Sequence, residues 1–147
     1  MRRHALIVLT VGLLIGAAAP KDDDAKKELK KLEGTWVMVS GEEKGKKLPD
    51  DTVKNAKLTM KGDKHTVQVG EDTFVGTHKV DPAKTPKQID AIDTEGPFKG
   101  KTSLGIYKLE GDKFTVCFAP PDKERPKEFS TKSGTGQFIH VWKRQKD

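Results

Sequence analysis

From Gly34 to the C-terminus, apolar residues recur at every second position in short runs, and none of these runs has the length or spacing of a crossover helix. The runs are Thr35–Ser40, Lys57–Lys61, His65–Val69, Thr73–Val80, Gln88–Ile92, Ser103–Leu109, Lys113–Ala119 and Gln137–Lys143. A period of two sends alternate side chains to opposite faces of a strand. Several runs are separated by hairpin chemistry: Gly62-Asp63-Lys64, Gly70-Glu71-Asp72 and Gly111-Asp112. Strands in simple succession without crossover helices predict an all-β, antiparallel, up-and-down meander of about eight strands. Closing that meander into a barrel removes its two unpaired edges.

The connections differ in length, and in an up-and-down barrel alternate connections fall at alternate ends. Gly62–Lys64, Asp81–Lys87 and Glu110–Asp112 share one end and are all short. Gly41–Ala56, Asp93–Thr102 and Pro120–Gly136 share the other end and are long. Within the first of these, Pro49-Asp50-Asp51 before Thr52–Ala56 predicts one helical turn with a capping Asp. One end is therefore expected to be tightly closed and the other to carry loops. Small barrels that take ligands do so through such a mouth.

Two further segments precede the strands. Residues 21–33 are predicted to form a short helix or, alternatively, a flexible tail. For the helix, Asp22, Asp23 and Asp24 suit its N-terminus, and Ala25, Leu29 and Leu32 give a narrow apolar stripe. Before it, Arg2 and Arg3 lead into an apolar run from Ala5 to Gly16, followed by Ala17, Ala18 and Ala19. That order is the order of a secretory signal peptide over residues 1–19. Cleavage is expected after Ala18 or Ala19, the second being disfavoured by Pro20. The apolar run is shorter than the roughly 20 residues of a comfortable membrane span. The alternative is an uncleaved anchor. The expected destination is the periplasm or the medium, with no stable membrane span after cleavage, and residues 20–147 form the single domain.

Export makes the cysteine count informative. Cys117 is the only cysteine, so no internal disulfide can form and the core alone must hold the fold. Loss of Arg2 and Arg3 with the leader lowers the formal charge from +6 to +4. The remaining charges of both signs are interspersed, which reads as a solvated surface and not as a nucleic-acid-binding face.

Gly34-Thr35-Trp36 after a short helix resembles the G-x-W signature of lipocalin-like barrels. The resemblance implies that Trp36 sits at the closed end, with a basic residue after the last strand, Arg144 or Lys143, packed across its ring. Gly34, Trp36 and Arg144 are accordingly structural candidates. Over residues 29–145 the chain also resembles a lipocalin-like domain family of unknown function expanded in planctomycete bacteria, with a calycin-type barrel. The likeness rests on Leu32-Glu33-Gly34-Thr35-Trp36, Asp81-Pro82, Pro86-Lys87, Ile89-Asp90, Glu95-Gly96-Pro97, Gly105-Ile106-Tyr107, Gly111-Asp112, Cys117, Arg125-Pro126 and Phe129. It implies a fold and no activity.

Constellations that would carry chemistry are few. Gly96-Pro97-Phe98-Lys99-Gly100-Lys101-Thr102 is one residue short of a phosphate-binding loop and leads into a strand, not a helix. Cys117 has no local histidine to activate it. His65, His78 and His140 lie on three strands without close metal-ligand spacing. Asp90, Asp93 and Glu95 are neighbours, but Asp90 is expected on a strand face with a partner such as Arg125. No catalytic residue, metal site or cofactor is therefore expected.

Phe114, Val116 and Phe118, Leu104 and Ile106, Val67 and Val69, and Leu58 and Met60 are expected to face the interior. The leading expectation is non-catalytic binding of a small apolar or amphipathic molecule, such as a fatty acid, at the loop-bearing mouth. Arg125, Lys99, Lys101 and Phe98 in the loops, with Tyr107 and Phe118 on strands, are the candidate ligand-binding residues. The alternative is a cell-envelope protein-interaction module with a filled barrel.

Overall fold

The computed structural model describes residues 22–146. The expected leader, residues 1–19, lies outside the described residues. Helix α1 (Asp22–Leu32) precedes β1 (Gly34–Glu43), the two-residue β2 (Lys46–Lys47) and the helical turn α2 (Asp50–Lys54). Then follow β3 (Lys57–Lys61), β4 (Lys64–Val69), β5 (Asp72–Asp81), β6 (Lys87–Asp93), β7 (Thr102–Glu110), β8 (Lys113–Phe118) and β9 (Phe138–Arg144). Every pairing is antiparallel, and β1 pairs with both β3 and β9, closing an eight-stranded up-and-down barrel with β2 as a short appendage. The eight expected runs are these eight strands; four are one or two residues longer than their alternation alone suggests, and β1 is four longer. The helical turn starts earlier than expected, and Pro49, not an Asp, occupies its N-cap without a side-chain bond.

The asymmetry of the ends holds. Turns at Gly62-Asp63 and Gly111-Asp112 and the 82–86 turn share an end with the start of β1 and the end of β9. The glycines of both hairpins have positive φ (57° and 61°), where a side chain would be strained. The connections 44–56, 94–101 and 119–137 lie at the other end, with the tight turn Gly70-Glu71 between β4 and β5.

The closed end is a floor of aromatic side chains. Trp36, Trp142, Tyr107 and Phe114 are all buried. Phe114 packs against Trp36 with centroids 5.7 Å apart and against Tyr107 at 5.8 Å. The Trp36 ring N–H donates to the Leu32 carbonyl at 2.9 Å, so the last turn of α1 and the first strand share one hydrogen bond. The Arg144 guanidinium lies 4.2 Å from the Trp36 ring centre, the contact expected from the resemblance. That same guanidinium donates to the carbonyls of Glu33 and Lys31 and faces Asp112 at 3.3 Å. A Cβ on Gly34 would come within 3.0 Å of it, which accounts for glycine at that position.

α1 is fastened across this floor by a buried carboxylate. Glu28 accepts from the Tyr107 hydroxyl at 3.0 Å and from the Lys87 ammonium at 2.8 Å. Burial opposes ionisation of Glu28, but the bonds from Lys87 and Tyr107 and the charges of Lys87 and Lys31 outweigh it and hold the carboxyl below its usual range. Burial, reinforced by the Glu28 charge, pushes the Tyr107 phenol far above its ordinary range.

One group of expected interior residues faces outward. Ile106 is register partner of Cys117, and Cys117 of Ile139, on the face opposite to Phe114, Val116 and Phe118. Leu104, two residues from Ile106, shares that outer face. Ile106 and Cys117 are nevertheless buried (1% and 0% exposed), because residues 119–137 fold back over the outside of the wall. The Cys117 sulfur meets the carbonyls of Ser130 and Glu128 at 3.7 and 3.9 Å. β8 is thus buried on both faces from Phe114 to Cys117, which alternation alone cannot reveal.

Candidate functional site

Above the aromatic floor the barrel is not filled. A cavity of about 80 Å³ is bounded by Leu58, Met60, Val67, Ile89, Ala91, Phe114, Val116, Phe118 and Trp142, with His65, His78 and His140 as its polar groups. Parity brings the three histidines here. His65 precedes Val67 by two residues, His78 precedes Val80, and His140 precedes Trp142, so each shares the inward face of its strand. That signal was present in the alternation. The absence of close spacing along the chain concealed it, because the rings meet across strands.

His65 and His78 form a diagonal pair on β4 and β5. His65 is register partner of Gly76, two residues before His78. Their Nδ1 atoms are 3.0 Å apart, so one ring donates to the other. Gly76 makes the room: a Cβ there would lie 2.8 Å from the His65 Nε2. His78 is 2% exposed, and its Nε2 has no hydrogen-bond partner. Burial, together with the neighbouring His78, lowers the His65 pKa to about 4. Burial also lowers that of His78, against the opposing influence of Asp63 and the Gly62 carbonyl. On the opposite wall His140 packs between Phe138 and Trp142, with centroids 4.8 and 5.7 Å away, and burial lowers its pKa to about 4. All three imidazoles are therefore neutral at pH 7.

The residues singled out from sequence are dispersed. Phe118 lines the cavity, its ring seated over Gly105, where a Cβ would stand 2.6 Å from it. Phe98 is exposed at the tip of the 94–101 connection, and Lys99 and Lys101 beside it are exposed as well. Tyr107 is a correction: it belongs to the closed end, beneath α1, and its hydroxyl is committed to Glu28. Arg125 is a second correction. Its guanidinium does not reach the mouth but grips the outer wall, donating to the carbonyls of Gly105 at 2.8 Å and Ile89 at 3.1 Å and to Asp90 at 2.6 Å. The physical reason is supply: the outward Asp90 and two strand carbonyls offer acceptors that the solvated rim does not. Gly34, Trp36 and Arg144 lie together at the closed end.

Asp90 and Asp93 are three residues apart on one strand and so face opposite sides of the wall, which separates the carboxylates for any joint acid–base work. Among the described residues no group of three or more His, Cys, Asp and Glu side chains converges to hold a metal ion. Size corrects the expected ligand. Pockets for drug-sized molecules measure about 300–1,000 Å³, so a long acyl chain does not fit a cavity of about 80 Å³.

Comparison with protein-family models, with curated proteins and with solved structures finds no match to this chain.

Proposed function

We propose that the protein is an exported, non-catalytic binder of a compact, largely apolar molecule that carries one hydrogen-bonding group. The observation that carries this reading is a cavity inside the barrel lined by apolar side chains and three imidazoles, one of which, His78, keeps a buried ring nitrogen without a hydrogen-bond partner. A buried polar nitrogen without a partner costs about 1–3 kcal/mol. Water repays that poorly in a site offering so few polar groups, since a buried water makes about three hydrogen bonds. A ligand with an apolar body and a single polar group matches the lining on both counts. An engineered apolar cavity of about 150 Å³ holds benzene, so a cavity of about 80 Å³ suits something smaller. Access is through the end with the long connections, because the aromatic floor and α1 obstruct the other.

The reading is tested by native mass spectrometry of the protein purified from its own host, alongside methyl NMR under xenon. A stoichiometric small-molecule adduct is expected, absent from an Ala91→Phe variant that fills the cavity. Xenon is expected to shift the methyls of Leu58, Val67 and Val116 saturably. An adduct-free protein whose interior methyls ignore xenon would overturn the proposal. The same spectra read the export expectation, which requires a new N-terminus at Ala19 or Pro20.

A protein-interaction role has one observation in its favour, the exposure of Phe98 at a loop tip and of Val37 and Val39 on the outer face of β1. It predicts an adduct-free barrel and a partner whose capture depends on Phe98.

A further inference from the structure

Closure of the barrel gathers lysines that are scattered in the sequence onto one outer wall. Lys113, Lys143, Val37 and Lys57 are successive register partners on β8, β9, β1 and β3. With strands about 4.8 Å apart, this line is about 14 Å long. Lys61 and Lys64 are register partners on β3 and β4, and Lys61 stands about 13 Å from Lys57 along its strand. All five lysines are exposed, while Leu58, Met60, Phe114 and Trp142 beside them in sequence are buried, so the lysines share the outer face. Val37 and Val39 stand among them, 39% and 55% exposed.

These charges are not balanced by the wall itself. Among the described residues none of the five lysines has an ion-pair partner. β3, β4 and β9 contain no acidic residue, and in β1 the acids Glu42 and Glu43 come only at its mouth end. Of the carboxylates at the closed-end rim, Asp112 is held by Arg144 at 3.3 Å and Lys146 at 3.1 Å. Glu33 accepts from the Gly62 N–H at 3.0 Å, which leaves Asp63 in the turn between Lys61 and Lys64. Like charges directly opposite each other on a sheet destabilise it, and this wall carries two such pairs, Lys113 with Lys143 and Lys61 with Lys64.

We propose that this wall docks the protein on an anionic bilayer surface, its lysines over acidic headgroups and its two exposed valines against the interface. Charges spaced at about a Debye length, about 10 Å at 0.1 M salt, act on a charged surface together. Lysine stems are long and flexible, so each ammonium can reach a headgroup without a fixed partner geometry. The chemistry of the wall selects among polyanions. Every aromatic side chain of β1, β8 and β9 is on the inward face, so the wall offers no ring on which a base could stack. Protein–protein interfaces are depleted in lysine, whereas lysines beside exposed apolar side chains suit a charged membrane surface.

The wall is the side of the barrel, so docking there leaves the loop-bearing mouth uncovered and makes no use of the cavity. The two ideas therefore fail separately: xenon reports on the interior, and vesicles report on the wall.

The test is co-sedimentation of the untagged protein, purified from its own host, with phosphatidylcholine vesicles that do or do not contain about 30% phosphatidylglycerol. Binding is expected only to the acidic vesicles and should be lost as salt rises from about 0.05 to about 0.5 M. Reversing Lys57, Lys113 and Lys143 together to Glu should weaken it at least tenfold. A control with the same net charge, reversing the exposed Lys26, Lys99 and Lys132 on other faces, should weaken it less than threefold. If the wall variant does not fold, the unsubstituted protein decides. With its lysines dimethylated and a spin label on the lipid headgroup, the signals of Lys57, Lys113 and Lys143 should broaden more than those of the control lysines. Absence of binding to acidic vesicles, equal binding to phosphatidylcholine alone, equal loss in the two triple variants, or uniform broadening would each overturn the proposal. So would binding to soluble polyphosphate without binding to vesicles.

Discussion

Trp36 is wholly buried because three different interactions converge on one side chain. Phe114 packs on its ring from inside, the Leu32 carbonyl takes its N–H, and the Arg144 guanidinium covers the outer face of the ring. Its removal leaves a hole in the barrel floor and an orphaned carbonyl at the end of α1. Trp36→Ala is therefore expected to lower stability by about 3–5 kcal/mol in a denaturant titration, the scale of large aromatic truncations in cores. Arg144→Ala is expected to cost less, about 0.5–2 kcal/mol, because the ring stays and only the cation above it goes. A loss below about 1 kcal/mol for the tryptophan variant would show that the floor is not an energetic keystone.

Among the elements, the 119–137 connection behaves as a strap over the wall of β6, β7 and β8, not as a loose loop. It is fixed by Arg125 at its middle. Farther along, the Thr131 hydroxyl bonds to Glu42 and accepts from the Gly45 N–H at 3.2 Å. Arg125→Ala removes three hydrogen bonds from a charged donor, to the Ile89 and Gly105 carbonyls and to the Asp90 carboxylate. A loss of about 1.5–3 kcal/mol is expected, the scale of a hydrogen bond to a charged group. Cys117 reports the same event. Burial pushes its thiol up, partly offset by bonds from the strap, and the strap shields it. Alkylation by iodoacetamide should be slow in the parent chain and markedly faster in the Arg125→Ala variant, with xenon binding unchanged. Equal rates in the two proteins would mean that Arg125 does not hold the strap down.

At the scale of the whole molecule, burying neutral histidines makes the barrel acid-sensitive. His140 has a folded pKa of about 4, against about 6.5 in an unfolded chain. Between those values the unfolded state binds more protons, so stability rises with pH across the window. This contribution is complete above about pH 6.5 and is lost as pH falls towards 4. It amounts to about 3 kcal/mol for His140 alone. Glu28 adds a loss of the same sign at lower pH, because its folded carboxyl lies below the unfolded value. Urea titrations at pH 7 and 4.5 should show a clear drop for the parent chain and a smaller one for His140→Gln. A drop of equal size in both would remove His140 as its source.

Alternation, turn glycines and the order of short and long connections were enough to predict the strands, their antiparallel succession and the two unlike ends. These are local properties: hydrophobic period and turn chemistry act over a few residues, and each is readable where it occurs. One partner of Trp36, a basic residue at Arg144 or Lys143, was implied by the resemblance to lipocalin-like barrels, whereas Phe114 and the Leu32 carbonyl were not foreseen. Other features were decided only by tertiary structure. Ile106 alternates like an interior residue, yet it is buried on the outer face beside Cys117, because a strap distant in sequence covers that face. Asp90 was foreseeable as a partner of Arg125, but that Arg125 turns back from a long loop at the mouth end onto the Ile89 and Gly105 carbonyls was not. His65 and His78 are thirteen residues apart and meet only through the register of β4 and β5. Contacts of this kind depend on which strands become neighbours and on how far one slides past the next, and that is fixed when the barrel closes and its core packs.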